Sequence, residues 1–451
     1  MTIGNSMLYH DGDYIFTGYT VRDDTVFSIV TKLDTEGELI WETLWYDMLN
    51  FSQIIETADS GIAVCGYRRN MFKINKYNIE GEELYSWQFE FEFEPIIHGL
   101  LNNGNDGYIV AGYTEVDYRS RYDFMLVEVS SEREIEWQRI YEDRPRDQEC
   151  YALTAVPDGG YMLVGRTREN DFGNEINVIR TDEEGGVIWQ EHYGTEYIDI
   201  PANEGGHDII ATDDGNFLIA GETIAHDDQD EVNLNFLMLK INDDGDVHWM
   251  EVIDLDRRER CRSIKKTVDG GFVLSGFSSV ERTDIGNPLI LKTDNRGILV
   301  WSYVQEAVSA NTDAALHLRA IAHEDRTFSL VNASSYGVRG FPGFLQKFGR
   351  DPHGVSDGNN VFLPSWTGLE SAYPNPFNSI TTFVFTVGSP ADVEISIFNR
   401  LGRRQAELVR RSYPIGQHRL SWDAGGLPSG DYFARMTAGE VVSTKKVALI
   451  K

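Results

Sequence analysis

A short pattern returns six times along the chain: a tight turn containing Gly, a mostly apolar run, then a second Gly. It reads Asp11-Gly12-Asp13-Tyr14-Ile15-Phe16-Thr17-Gly18 in the first copy and Gly159-Gly160-Tyr161-Met162-Leu163-Val164-Gly165 in the fourth. The closing glycines Gly18, Gly66, Gly112, Gly165, Gly221 and Gly276 advance by 48, 46, 53, 56 and 55 residues. Self-similarity at this spacing restricts the chain to architectures that copy one supersecondary unit.

A second pattern interleaves with the first. Lys32 to Gly37 leads to Trp41, Arg180 to Gly185 to Trp189, Lys240 to Gly245 to Trp249, and Lys292 to Gly297 to Trp301, the Trp always four residues after the Gly. Two copies are degenerate: Arg133 replaces the Gly before Trp137, and Gly81 lies six residues before Trp87. Asp or Asn followed by Gly suits a hairpin turn, because Gly accepts positive φ and the short polar side chain bonds the local backbone. Uninterrupted apolar runs read as strands covered on both faces. Four short antiparallel strands every ~50 residues are the mark of a β-propeller. A worn seventh copy, with a hairpin at 323–331 and a third strand at 344–348, gives about seven blades in residues 1–352.

Residues 353–370 lose the repeat and read as a linker rich in Pro, Gly, Asp and Asn. Strand-like runs at 382–387, 392–398 and 431–436 then predict a small Ig-like β-sandwich over 371–451, which makes the whole chain all-β. This segment carries Tyr373-Pro374-Asn375-Pro376-Phe377-Asn378, Asn399-Arg400-Leu401-Gly402-Arg403, Leu427-Pro428-Ser429-Gly430-Asp431-Tyr432-Phe433 and a terminus with Lys445 and Lys446 followed by apolar residues. Four motifs in this order closely resemble the type A C-terminal sorting domain of bacterial type IX secretion, over the last fifth of the chain. The resemblance implies export through the outer membrane by the secretion machinery, then release or attachment at the cell surface with removal of this domain. The N-terminus has neither the basic start nor the apolar stretch of a signal peptide. An upstream segment supplying an export signal and a ring-closing strand is therefore expected; otherwise 355–363 would close the ring.

Charge separates the two parts. Ser371 to Lys451 holds 10 Lys+Arg against 6 Asp+Glu, which leaves 30 against 66 in residues 1–370, a balance of −36. Such a surface argues against nucleic acid and anionic lipid as partners, since binding phosphates requires Lys and Arg to displace counterions. No stretch approaches the ~18 apolar residues of a transmembrane segment. Cys65, Cys150 and Cys261 are too few and too scattered for a disulfide framework or a zinc site and read as small buried hydrophobes.

In each repeat the two turns are short and uniform, whereas the connections between second and third strands, and between successive blades, vary. Function rides on variable loops held by a rigid scaffold, so any site is expected on that diverse face. Aligning the copies places Ser52, His98, Tyr151, His207 and Arg262 early in the innermost strand, where they would ring the channel mouth and bind a ligand. The alternative reading of the same ring is a wet channel lined by solvated side chains. No cofactor is assigned: Asn242 to Asp246 and Asp227 to Glu231 could attract calcium, but neither has EF-hand spacing. Glu142, Asp143, Asp147 and Glu149 are the one acid cluster that could serve glycoside hydrolysis, and no residue stands out as a catalyst. Three function classes remain open: a surface module binding a glycan or protein partner, a secreted polysaccharide hydrolase or lyase, and a structural spacer.

Overall fold

The computed structural model describes the chain apart from residues 1, 23–24, 35–38, 46–49, 118–120, 144–145, 170–172, 195–201, 227–231, 256, 280–286, 305–314, 323–327, 335–344, 349–367, 374, 388–390, 401, 414–415, 440 and 451. Every described element is a strand or a turn. Seven antiparallel sheets follow one another at 2–45, 50–90, 95–141, 147–193, 205–253, 258–304 and 315–348, here blades 1 to 7. Blades 1 to 6 have four strands in chain order from the axis outward; blade 7 has three described strands. The first strands of successive blades lie side by side, and that of blade 7 (Ala315–Ala322) lies beside that of blade 1 (Thr2–His10), which closes the ring. Among the described residues blades 1 and 7 exchange no strand, and 355–363, the alternative closing segment, lies outside the described residues.

The core sits between blades. Phe72, Ile74 and Trp87 of blade 2 pack with Ile97, Tyr108, Val110 and Val127 of blade 3. Met162 and Val178 of blade 4 meet Ile209, Phe217 and Ile219 of blade 5 in the same way. This explains the continuous apolar runs, since each second strand is roofed by a neighbour on both faces. Each side chain buried there contributes about 1.5–3 kcal/mol.

The Gly…Trp pattern works between blades rather than within one. The outer-strand Trp of blades 1, 3 and 4 packs on the last turn of the next blade over its Gly, and that of blade 2 packs on the same turn of blade 3 over Arg133. A Cβ on Gly81 would stand 2.6 Å from the Trp41 ring, and one on Gly185 2.7 Å from the Trp137 ring. Trp189 Nε1 donates to Asp243 O at 2.8 Å, and Trp41 Nε1 to Ile79 O at 3.1 Å. Arg133, at the Gly position of blade 3, keeps the left-handed φ of 73° and lies over the Trp87 ring at 5.9 Å.

Contacts divide the chain into two compact units, Met1–Ile290 with Val304–Asp357, and Leu291–Tyr303 with Gly358–Lys451. By its strand pairing Leu299–Val304 nevertheless belongs to the sheet of blade 6. In the C-terminal segment a three-stranded sheet (Gly368–Tyr373, Ile380–Val387, Gly416–Asp423) and a four-stranded sheet (Ala391–Asn399, Arg404–Tyr413, Gly430–Ala438, Val441–Leu449) form a sandwich. Phe377, Phe383, Phe385, Ile395, Ile397, Trp422 and Val447 fill it.

Candidate functional site

The inner strands share one irregularity that the sequence conceals. In every blade the pairing of first and second strands slips by one residue, a β-bulge. The skipped residue is Ser52 in blade 2, His98 in blade 3, Tyr151 in blade 4, His207 in blade 5 and Arg262 in blade 6. Asn5 and Leu316 hold the same place in blades 1 and 7. A bulge detaches a residue from the ladder and re-aims its side chain, and in blades 3 to 6 these side chains meet one another across neighbouring blades. The closing Gly of each repeat sits opposite the bulge, where the strands approach too closely for a side chain. A Cβ on Gly112, Gly165, Gly221 or Gly276 would lie 2.0, 1.9, 2.1 or 1.8 Å from a facing carbonyl oxygen.

Four of the five predicted residues form one continuous chain across blades 3 to 6. The His98 and Tyr151 rings meet edge to face at 5.6 Å, and Tyr151 stacks on His207 at 5.0 Å. Arg262 Nη1 lies 3.3 Å from His207 Nδ1. Ser52 is not brought into this chain; its hydroxyl turns back to donate to Cys65 O in its own blade at 3.3 Å.

A second set of residues, missed in the sequence, immediately follows the closing glycines. Tyr113 stacks on His98 at 5.7 Å, Arg166 lies over Tyr151 at 5.8 Å, Glu222 is 3.5 Å from His207, and Phe277 lies under the Arg262 guanidinium at 5.3 Å. Tyr67 holds the equivalent position in blade 2. The glycine itself was the available signal, since the next residue on that strand faces the same way as the bulge. Glu149, two residues before Tyr151, accepts the Tyr151 hydroxyl proton and a bidentate pair of bonds from Arg166 Nη2 at 2.8 and 2.9 Å.

These contacts fix the protonation of the cluster. Burial works against charge on Glu222, yet His207, Arg262 and Arg260 around it hold its carboxyl at about 2. Burial lowers the His207 imidazole, Glu222 opposes this, and Arg262 adds to it, leaving the value below the ordinary one. Burial raises the Tyr151 phenol, and Glu149 raises it further, so it stays a neutral donor. At neutral pH the mouth therefore presents a neutral phenol at Tyr151 and a neutral imidazole at His207 beside the Glu222 carboxylate.

The remaining sequence candidates fall elsewhere. Asp147 accepts the Tyr122 amide at 2.7 Å, Asp143 pairs with Arg146 at 3.4 Å, and Glu149 is engaged as above, so three of the four acids are held in separate structural roles. Asn242 Oδ1 accepts the amides of Asp244 and Asp246, the ordinary turn arrangement, and 227–231 lies outside the described residues. Among the described residues no group of three His, Cys, Asp or Glu could hold a metal ion, and no helix is long and apolar enough to cross a membrane. Cys65, Cys150 and Cys261 are buried and unbonded to one another. In the variable segments at 115–123, 168–175, 225–233 and 278–287, the described residues continue the second and third strands, and 118–120, 170–172, 227–231 and 280–286 lie outside the described residues. The connection at 193–206 adds a short strand, Ala202–Asn203, parallel to Gly173–Thr181.

In the C-terminal sandwich the sorting motifs converge. Asn375 Oδ1 accepts the Ala448 amide at 2.9 Å and its Nδ2 donates to Lys446 O at 3.2 Å. The Phe377 amide donates to Ala448 O at 2.9 Å, and the Ile450 amide to Phe377 O at 2.8 Å. Phe377 is buried, while Asn375, Pro376 and Asn378 are exposed and joined by a cis Asn375–Pro376 bond. Tyr373 ends its strand, Gly430 begins another, and Pro374 lies outside the described residues. Asp431, next to Gly430, pairs with Arg400 and with Lys446 Nζ at 3.4 Å; Lys445 lies beside Lys446 on the last strand.

Comparison with known proteins adds one family and several folds. Residues 371–451 match the family described as "Secretion system C-terminal sorting domain". No curated protein sequence matches the chain. Similar solved structures include a protein of unknown function from Bacteroides caccae, 13% identical with a TM-score of 0.39, covering 61% of this chain and 90% of that one. The β-propeller domain of the Trilobed protease from Pyrococcus furiosus is 10% identical with a TM-score of 0.41, covering 74% and 90%. The polysaccharide lyase Uly1 is 10% identical with a TM-score of 0.44, covering 77% and 90%.

Proposed function

Residues 371–451 belong to the secretion system C-terminal sorting domains of the type IX route, and from that premise we propose that the propeller is a surface or extracellular module that binds a glycan at its channel mouth. The observation that carries the reading is the continuous cluster His98–Tyr151–His207–Arg262, lifted out of the sheets by bulges and backed by Tyr113, Arg166, Glu149 and Glu222. Aromatic rings beside pre-paired hydrogen-bonding groups suit a sugar, whose faces are apolar and whose rim is hydroxylated. Arginines already fixed by carboxylates lose little freedom when a ligand arrives, which favours affinity. A hydrolase reading is less well supported, because it needs two carboxyl groups flanking a bond, one of them held protonated. Here Glu222 is held ionised and Glu149 is engaged by Tyr151 and Arg166.

The test is binding of the full-length protein to a polysaccharide and glycan array, followed by titration of each hit. Tyr151→Ala and Arg262→Ala are expected to weaken binding at least tenfold, about 1.4 kcal/mol. A hit that both variants retain in full, or a protein partner captured with no glycan bound, would reject the reading.

A further inference from the structure

The mouth is electrically lopsided. Blades 2 and 3 contribute Tyr67, His98, Tyr113 and Tyr122, and Glu94 and Glu115 act on Tyr67 and Tyr122 from nearby. Blades 4 to 6 contribute Arg166, Arg260 and Arg262 around Glu149 and Glu222. Each of these two carboxylates thus has guanidinium groups beside it on one side of the mouth, in a chain whose net charge is −32. Within the Arg166 pair the acid is the deeper partner: the Glu149 side chain is 20% exposed and that of Arg166 36%. The carboxylate acts as a support from below, and the guanidinium is the group offered to solvent. Glu222 lies 3.5 Å from His207, whose imidazole also stands 3.3 Å from Arg262 Nη1.

We infer that the ligand is an acidic glycan, bound with its carboxylate or sulfate ester toward Arg166 and Arg262 and the face of its sugar ring toward the tyrosines of blades 2 and 3. This rests on the glycan reading above and narrows it. Guanidinium groups match planar oxyanions, and charge-assisted hydrogen bonds of this kind are roughly twice as strong as neutral ones. The acids on the aromatic side oppose the reversed orientation. The acidic body of the propeller disfavours dense polyanions by long-range repulsion, so recognition falls to one sugar's acid group at short range.

Matched oligosaccharides decide the matter by isothermal titration against the full-length protein: oligogalacturonate, its carboxyl-reduced neutral counterpart, and a sulfated galactan oligomer. An acidic ligand is expected to bind about tenfold or more tightly than the neutral one. Arg262→Gln is expected to bring that ratio close to one, the acidic ligand losing more affinity than its neutral counterpart. A preference for carboxylate over sulfate, or the reverse, identifies the acid group and supports the inference either way. Equal binding of acidic and carboxyl-reduced ligands by the wild-type protein overturns it and leaves the glycan reading standing. Absence of binding to all three, together with an empty glycan array, overturns both. Should Arg262→Gln fail to fold by circular dichroism, the comparison of ligands on the wild-type protein still decides.

Discussion

Gly165 and Gly215 show why glycines that look alike in a repeat carry different loads. A Cβ on Gly165 would stand 1.9 Å from Glu149 O, so Gly165→Ala forces the bulge apart and is expected to cost about 3 kcal/mol or more in urea unfolding. Gly215 has open space around it and only a left-handed φ of +77°, so Gly215→Ala should cost about 1–2 kcal/mol. Both glycines were plain in the sequence. The reason for the first was not, because a bulge is a relation between two strands and leaves no mark on either alone. The pH response belongs to this scale as well. In the unfolded chain His207 takes up a proton below its ordinary 6.5, whereas burial and Arg262 lower its value in the native protein. The unfolded state therefore binds more protons, and stability should fall as pH drops from about 6.5 toward the native value. His192, lowered by burial and by Arg146, acts in the same direction. Thermal melts between pH 7 and 5 should show the slope, and His207→Gln should flatten part of it; an unchanged slope would mean that the imidazole is protonated in the native mouth.

Between blades, the repeating element proves to be a hand-over. The outer-strand Trp of blades 1 to 4 reaches the last turn of the following blade, and in three of the four a turn Gly is there to receive the neighbour's ring. Trp189→Ala removes that packing and the bond to Asp243 O, with an expected loss of about 3 kcal/mol. Trp189→Phe keeps much of the packing and should lose about 1 kcal/mol, the worth of the hydrogen bond. Unfolding by urea separates the two; equal losses would show that the indole N–H carries the whole effect. The sequence disclosed that Gly and Trp recur together, and the packing of Trp on a neighbouring blade could be anticipated. Which Gly meets which Trp could not, since the partners are some 40 residues or more apart and their pairing depends on how blades stack. The residues after the closing glycines, Tyr113, Arg166, Glu222 and Phe277, were within reach of the same alignment, and only their shared direction with the bulge was hidden.

For the molecule as a whole, blade count and the order of propeller and sandwich were legible, because periodicity and motif order are one-dimensional signals. Ring closure was not, because it depends on the meeting of Thr2–His10 with Ala315–Ala322 across the entire domain. In the sandwich, motifs quoted far apart in sequence turn out to hold one strand. Asn375 grips Lys446 and Ala448, so Asn375→Ala should loosen the last strand by about 1–2 kcal/mol and expose it to carboxypeptidase. Asn375→Asp, which keeps the acceptor for the Ala448 amide, should lose less; equal sensitivity of the two would place the stabilisation in the Nδ2 bond to Lys446 O instead.

The bulges carry a consequence for descent. A residue that the ladder skips takes no part in the pairing that builds its blade, so its identity is almost free of the fold. Seven such places stand around one opening, each changeable by a single codon while the others and the core stay as they are. Where they touch, as Tyr151 and His207 do, a change at one alters what its neighbour meets. A lineage can therefore alter what the opening accepts one step at a time, with every intermediate still able to fold and be exported.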